Sequence, residues 1–134
     1  MEKIMLLEDV NLSEIQITSD GKNINFNFLD MYEGKPIASM TCKNVMHFIY
    51  SNTFDDNDYG FACYAGEVTL QSFTSHEDIV HTLGSMKYRF KKCDMYGNAL
   101  GFEPMEELHL VGIEGGEVSI AVLCKKLPTL QRLE

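Results

Sequence analysis

The sequence predicts a mainly β fold, or an α+β one: an antiparallel meander of about eight to ten strands closed as a sandwich or partly open barrel, with one short helix near residues 75–83. Three observations carry this. Turn signals at Asp20-Gly21 and Gly115-Gly116 each separate two alternating runs. In both, the apolar residues fall into register when the turn is placed there. No strand–helix alternation of the kind that builds a parallel sheet appears.

The first hairpin joins 12–19 to 22–29. Asp-Gly favours a two-residue type I′ loop. That loop sets Ile17 opposite Ile24 and Ile15 opposite Phe26, with Gln16, Thr18, Asn23 and Asn25 on the other face. Residues 36–50 are apolar but poorly periodic and read as one or two strands. Ala65-Gly66 suggests a further hairpin pairing Cys63 with Val68, although alanine is poor at the positive φ of a type I′ loop.

Next comes the helix. Thr74 and Glu77 match the S/T-x-x-E capping box, Ile79, Val80 and Leu83 form one apolar face, and Gly84 is a suitable stop. Lys87-Tyr88-Arg89-Phe90-Lys91-Lys92 reads as a strand with cations on one face and aromatics on the other. Gly97-Asn98 is a second weak turn, pairing Met95 with Leu100. At Gly115-Gly116 the implied pairs are Ile113 with Val118 and Val111 with Ile120. The opposite face pairs Leu110 with Ala121 and Leu108 with Leu123, so both faces are apolar and this hairpin belongs near the centre. Residues 65–70 resemble 115–120, which recurrent hairpin chemistry explains better than a duplicated half does.

The 134 residues suit one domain, with Leu133-Glu134 compatible with a cloning scar. An apolar fraction of 45% is enough for a full core. No apolar run approaches the ~18 residues that span a membrane, and the opening residues lack a secretory pattern. Cys42, Cys63, Cys93 and Cys124 form no C-x-x-C pair, so buried free thiols in a reducing, cytoplasmic setting are expected. The net charge of −9 repels nucleic acid and anionic membranes and suits a basic protein partner.

No motif settles a chemistry. His76 and His81 are five apart, about 140° around a helix, where the zinc-protease motif needs four. Asp55, Asp56 and Asp58 crowd one loop, but Tyr59 and Gly66 occupy positions where a calcium loop needs ligands. We therefore expect no metal and no cofactor. His109 reads as a core histidine held by one hydrogen bond, and a Cys–His pair meeting only in space remains open. Two functions follow. The leading one is a non-catalytic protein-binding chain of inhibitor, immunity-type or accessory kind, with Asp55, Asp56 and Asp58 as the partner-binding residues. The alternative is a small-ligand-binding β-barrel or a small enzyme of unrecognised type, its cavity lined from the eight Phe, six Tyr and eight Met.

Overall fold

Strand β1 (Ile4–Ile17) is long for a strand and changes partner along its length. Its first half pairs with β5 (Tyr64–Phe73) and its second half with β2 (Ile24–Asp30). Only Val10 and Asn11 are paired on both sides. The computed structural model describes residues 3–52, 64–90, 95–96, 105–116 and 118–133. Its other elements are β3 (Pro36–Cys42), β4 (Val45–Asn52), α1 (His76–Ser85), β6 (Leu108–Glu114), β7 (Val118–Cys124) and β8 (Thr129–Arg132). Among the described residues eight strands form one open antiparallel sheet in the order β4-β7-β6-β5-β1-β2-β3-β8. Among the described residues no helix is long and apolar enough to cross a membrane.

The sheet coils until its halves face each other. β1 allows this through bulges at Met5/Leu7 and Leu12/Glu14 and through Asp9, whose φ is 50°. Bulges bend a strand and re-aim its side chains, so Leu7, Val10 and Leu12 all point inward despite their uneven spacing. One leaf is β8-β3-β2 with the end of β1. The other is the start of β1 with β5-β6-β7-β4. Phe26, Phe28 and Met40 of the first leaf share one core with Val68, Val111, Ile113, Ile120 and Val122 of the second. The rings of Phe26 and Phe48 meet across it at 6.5 Å.

The outer face of the second leaf is apolar too, and the helix covers it. Ile79 and Leu83 pack with Leu108, Leu123 and Phe90. The helix begins one residue later than the capping box suggested. Ser75 is the N-cap, its hydroxyl accepting from Asp78 N–H at 3.1 Å. It also runs through Gly84. Lys87, with φ 61°, takes the left-handed C′ position, giving its N–H to Gly84 C=O while Tyr88 N–H bonds Leu83 C=O. That is a Schellman ending without glycine. Tyr88 and Phe90 then turn inward while Lys87 and Arg89 stay exposed, the partition expected, but residues 88–90 make no strand.

Both main hairpins keep the expected face parity, with different turns. At Asp20-Gly21 the pairs Ile15–Phe26 and Ile17–Ile24 form as expected. Only Gly21 has positive φ, however, and Gly21 N–H bonds Thr18 C=O, so the loop is not type I′. At the second hairpin Ile113 pairs with Ile120 and Val111 with Val122, two residues beyond the expected partners. Gly115 is not at the turn's tip. Its N–H bonds Val118 C=O, and a Cβ there would lie 2.1 Å from the Tyr64 carbonyl oxygen. The glycine is needed for close approach to β5. The Ala65-Gly66 hairpin does not form. Both residues lie inside β5, Ala65 buried opposite Val10. Gly66 is shielded by the Tyr64 side chain, whose hydroxyl donates to Asp9 Oδ1. Residues 65–70 thus lie wholly within β5, whereas Gly115 and Gly116 precede β7 and, of the described residues of 115–120, only 118–120 are strand, so the two segments do not form matching turns. Residues 36–50 divide between β3 and β4. The Gly97-Asn98 turn lies outside the described residues.

Candidate functional site

Where β3 ends, the chain crosses to the other leaf in two residues, Lys43 and Asn44, to start β4. So short a link draws the two leaves together at this end. Asn44, with φ 54°, sits at the centre of a backbone node. Its N–H donates to Asn23 Oδ1 at 3.2 Å and its C=O accepts from Lys125 N–H at 3.0 Å. Val45 N–H donates to Lys22 C=O at 2.7 Å. Lys22, from the first hairpin, and Lys125, from the end of β7, are thereby pinned to adjacent residues of the crossover.

Two clefts open here, sharing Asn44 and Lys125. The larger, about 420 Å³, is lined by Lys22, Asn44, Val45, Met46, Tyr88 and Lys125. Tyr88 is held edge-on between His47 (5.9 Å) and Phe90 (5.2 Å), and His47 Nε2 lies 2.8 Å from Met86 C=O. The smaller, about 310 Å³, adds Lys126, Glu106 and Glu107. The two differ in charge: the larger has two lysines and no carboxylate in its lining, whereas the smaller balances its lysines with glutamates. Lys22 has Asp20 nearby, but that carboxylate accepts from Thr18 Oγ at 2.6 Å and from Lys22 N–H at 2.9 Å. The Thr18 hydrogen bond, then that of Lys22 N–H, holds the Asp20 carboxyl below its ordinary pKa of 3.8.

Beside Glu107 of the smaller cleft lies His109, buried as expected. Its Nδ1 is 2.7 Å from Ser72 Oγ. Glu107 Oε2 stands 3.3 Å from Nε2 but off the line of an aligned hydrogen bond. Cys124 lies opposite His109 across the β6–β7 pair. Its thiol turns to backbone carbonyls, at 3.8 Å to His109 and 3.4 Å to Lys126, rather than to the imidazole. Cys42 is a neighbour of Cys124, and both are free and buried. The hydrogen bond between them, reinforced by burial, pushes the Cys42 thiol far above its ordinary range. A Cys–His nucleophile is thus not assembled at Cys124.

Of the residues singled out from sequence, Asp55, Asp56 and Asp58 lie outside the described residues, as do Cys63 and Cys93. His76 and His81 are exposed on α1. Among the described residues no three His, Cys, Asp or Glu side chains are grouped as metal ligands. Lys22, Asn44 and Lys125 were not foreseen. The one signal available was an Asn flanked by Lys43 between two apolar runs, which reads only as a turn.

A family model whose description reads only "-like:-like" matches residues 5–131, and the chain belongs to that family. No curated protein matches. The fold is similar to that in a crystal structure of an uncharacterized protein from Neisseria gonorrhoeae. That chain is 18% identical, with a TM-score of 0.62, and the match covers 99% of this chain and 100% of that one.

Proposed function

We propose that this member of the family is a non-catalytic binding protein of inhibitor, immunity-type or accessory kind. It works in the cytoplasm and engages a basic protein through an acidic surface that includes Asp55, Asp56 and Asp58. The observation that carries the reading is the segregation of charge. Lys22, Lys43, Lys125 and Lys126 gather at the crossover end. Those four lysines and the carboxylates at the same end, Asp20, Glu106 and Glu107, sum to +1, which leaves −10 on the remainder. A field of that sign speeds encounter with a basic partner by roughly ten- to a thousand-fold at low salt and disfavours nucleic acid. The interior also supports the reading, because Phe26, Phe28 and Met40 are spent on core packing.

The test measures association with a purified partner at two salt concentrations, with and without Asp55→Asn, Asp56→Asn and Asp58→Asn together. Slower association in the triple variant and at high salt is expected. A rate indifferent to both excludes this surface. A small enzyme is the second reading, favoured by the line Ser72–His109–Glu107. It would require wild type to hydrolyse an activated ester faster than Ser72→Ala does.

A further inference from the structure

We propose that the larger cleft at the crossover binds a phosphate monoester dianion carried on a small apolar or aromatic body, a site separate from the acidic binding surface. Three features of the cleft point to this ligand. Its charge comes from two lysines, one from each leaf, and two ammonium groups match a dianion better than a single carboxylate. Among the described residues neither lysine makes an ion pair within 4 Å, and nearby Asp20, which feels the Lys22 charge, is hydrogen-bonded by Thr18 Oγ and Lys22 N–H. The rest of the lining supplies an apolar and aromatic wall, Val45, Met46 and Tyr88, with Tyr88 fixed between His47 and Phe90. A wall of this kind beside a few placed polar groups is the usual composition of a small-molecule site, and about 420 Å³ falls within the usual range of ~300–1,000 Å³.

The node makes the site a built one. Lys22 and Lys125 are anchored by their own backbone groups to Val45 and Asn44. The side chains start from fixed points, so little backbone ordering is left for the ligand to impose. Asn44 holds a left-handed conformation that only a few residue types tolerate, and such conformations collect at binding sites. The neighbouring cleft provides an internal contrast. It shares Asn44 and Lys125, but Glu106 and Glu107 line it, so the dianion is steered to the side of Lys22.

The experiment titrates the full chain with phenyl phosphate while following backbone amides by NMR, with inorganic phosphate, benzoate and phenol in parallel. Shifts at Lys22, Asn44, Val45 and Lys125 are expected, with phenyl phosphate the tightest of the four. Lys22→Gln and Lys125→Gln should each weaken binding about tenfold, the loss typical of one charge-assisted hydrogen bond. Lys35→Gln, which removes a lysine paired with Glu33, should leave it unchanged. Thermal melts confirm that each variant is folded. The proposal is overturned if the four amides stay still at millimolar phenyl phosphate. It also fails if benzoate or inorganic phosphate binds as tightly, or if binding survives both lysine substitutions. The triple aspartate variant should bind phenyl phosphate as wild type does, which separates this outcome from that of the acidic surface.

Discussion

Two substitutions, Gly84→Ala inside α1 and Lys87→Gly just after it, test the helix C-terminus directly. Gly84 is helical and exposed, and a Cβ added there meets nothing within 4 Å. Gly84→Ala should therefore gain most of the ~1 kcal/mol by which alanine exceeds glycine in a helix. Lys87 is an exposed L-residue at φ 61°. Left-handed backbone costs such a residue about 1–2 kcal/mol, which Lys87→Gly relieves. Glycine's greater freedom in the unfolded chain takes back about 0.5–1 kcal/mol, leaving a gain near 0.5–1 kcal/mol. At about 3–4 °C per kcal/mol for a chain of this length, each variant should melt roughly 2–4 °C higher. The double variant need not be additive, because Lys87 N–H bonds Gly84 C=O. Urea denaturation and thermal melts followed by circular dichroism would measure both. The sign is decisive. If Gly84 were the stop that the sequence suggests, Gly84→Ala would force a Cβ into a left-handed position and lower stability. A lower midpoint for either variant refutes the Schellman ending at Lys87.

Three further outcomes are expected. Gly115→Ala should cost about 3 kcal/mol or more, seen as a large drop in denaturation midpoint, because its Cβ would press on the backbone of Tyr64 and Gly66. In an NMR pH titration the Asp20 carboxyl should have its midpoint below 3.8, and Thr18→Val should move it upward. A carboxyl depressed in the folded state stabilises it above the unfolded pKa, so this contribution should be lost as pH falls from about 4 through the folded midpoint. Mass-spectrometric mapping of thiol labelling should find Cys42 and Cys124 unmodified in native buffer and all four cysteines modified after denaturation without reductant. Rapid native labelling of Cys42 or Cys124 would contradict their burial.

Local patterning made much of the sheet legible. The parity of Ile15, Ile24 and Phe26 specifies which face is buried, with Ile17 on the same face but exposed at its end, and that survives an error in turn type because adding two residues to a loop preserves parity. The same tolerance explains the second hairpin, where partners moved by two positions and faces did not. Glycine misled where its role was contact rather than turning. Gly66 lies under Tyr64 and Gly115 against β5, and both contacts are made across the sheet. The candidate site was not legible. Lys22 and Lys125 are far apart in the chain and line one cleft only because the crossover from β3 to β4 holds both backbones. The Ser72–His109 pair, by contrast, was half visible in the apolar alternation around His109.

The divided loyalty of β1 bears on how the chain acquires its structure during synthesis. Its second half can zip locally onto β2, and β2 onto β3, as soon as those residues emerge. Its first half must wait until β5, far along the chain, has been made. Until then Ile4–Glu8 offers an unsatisfied backbone edge bearing Ile4, Met5 and Leu7, the kind of segment on which nascent chains associate wrongly. Loop-closure entropy makes such non-local pairing late, so the β1–β2–β3 unit should gain hydrogen-exchange protection before the β1–β5 pairing does.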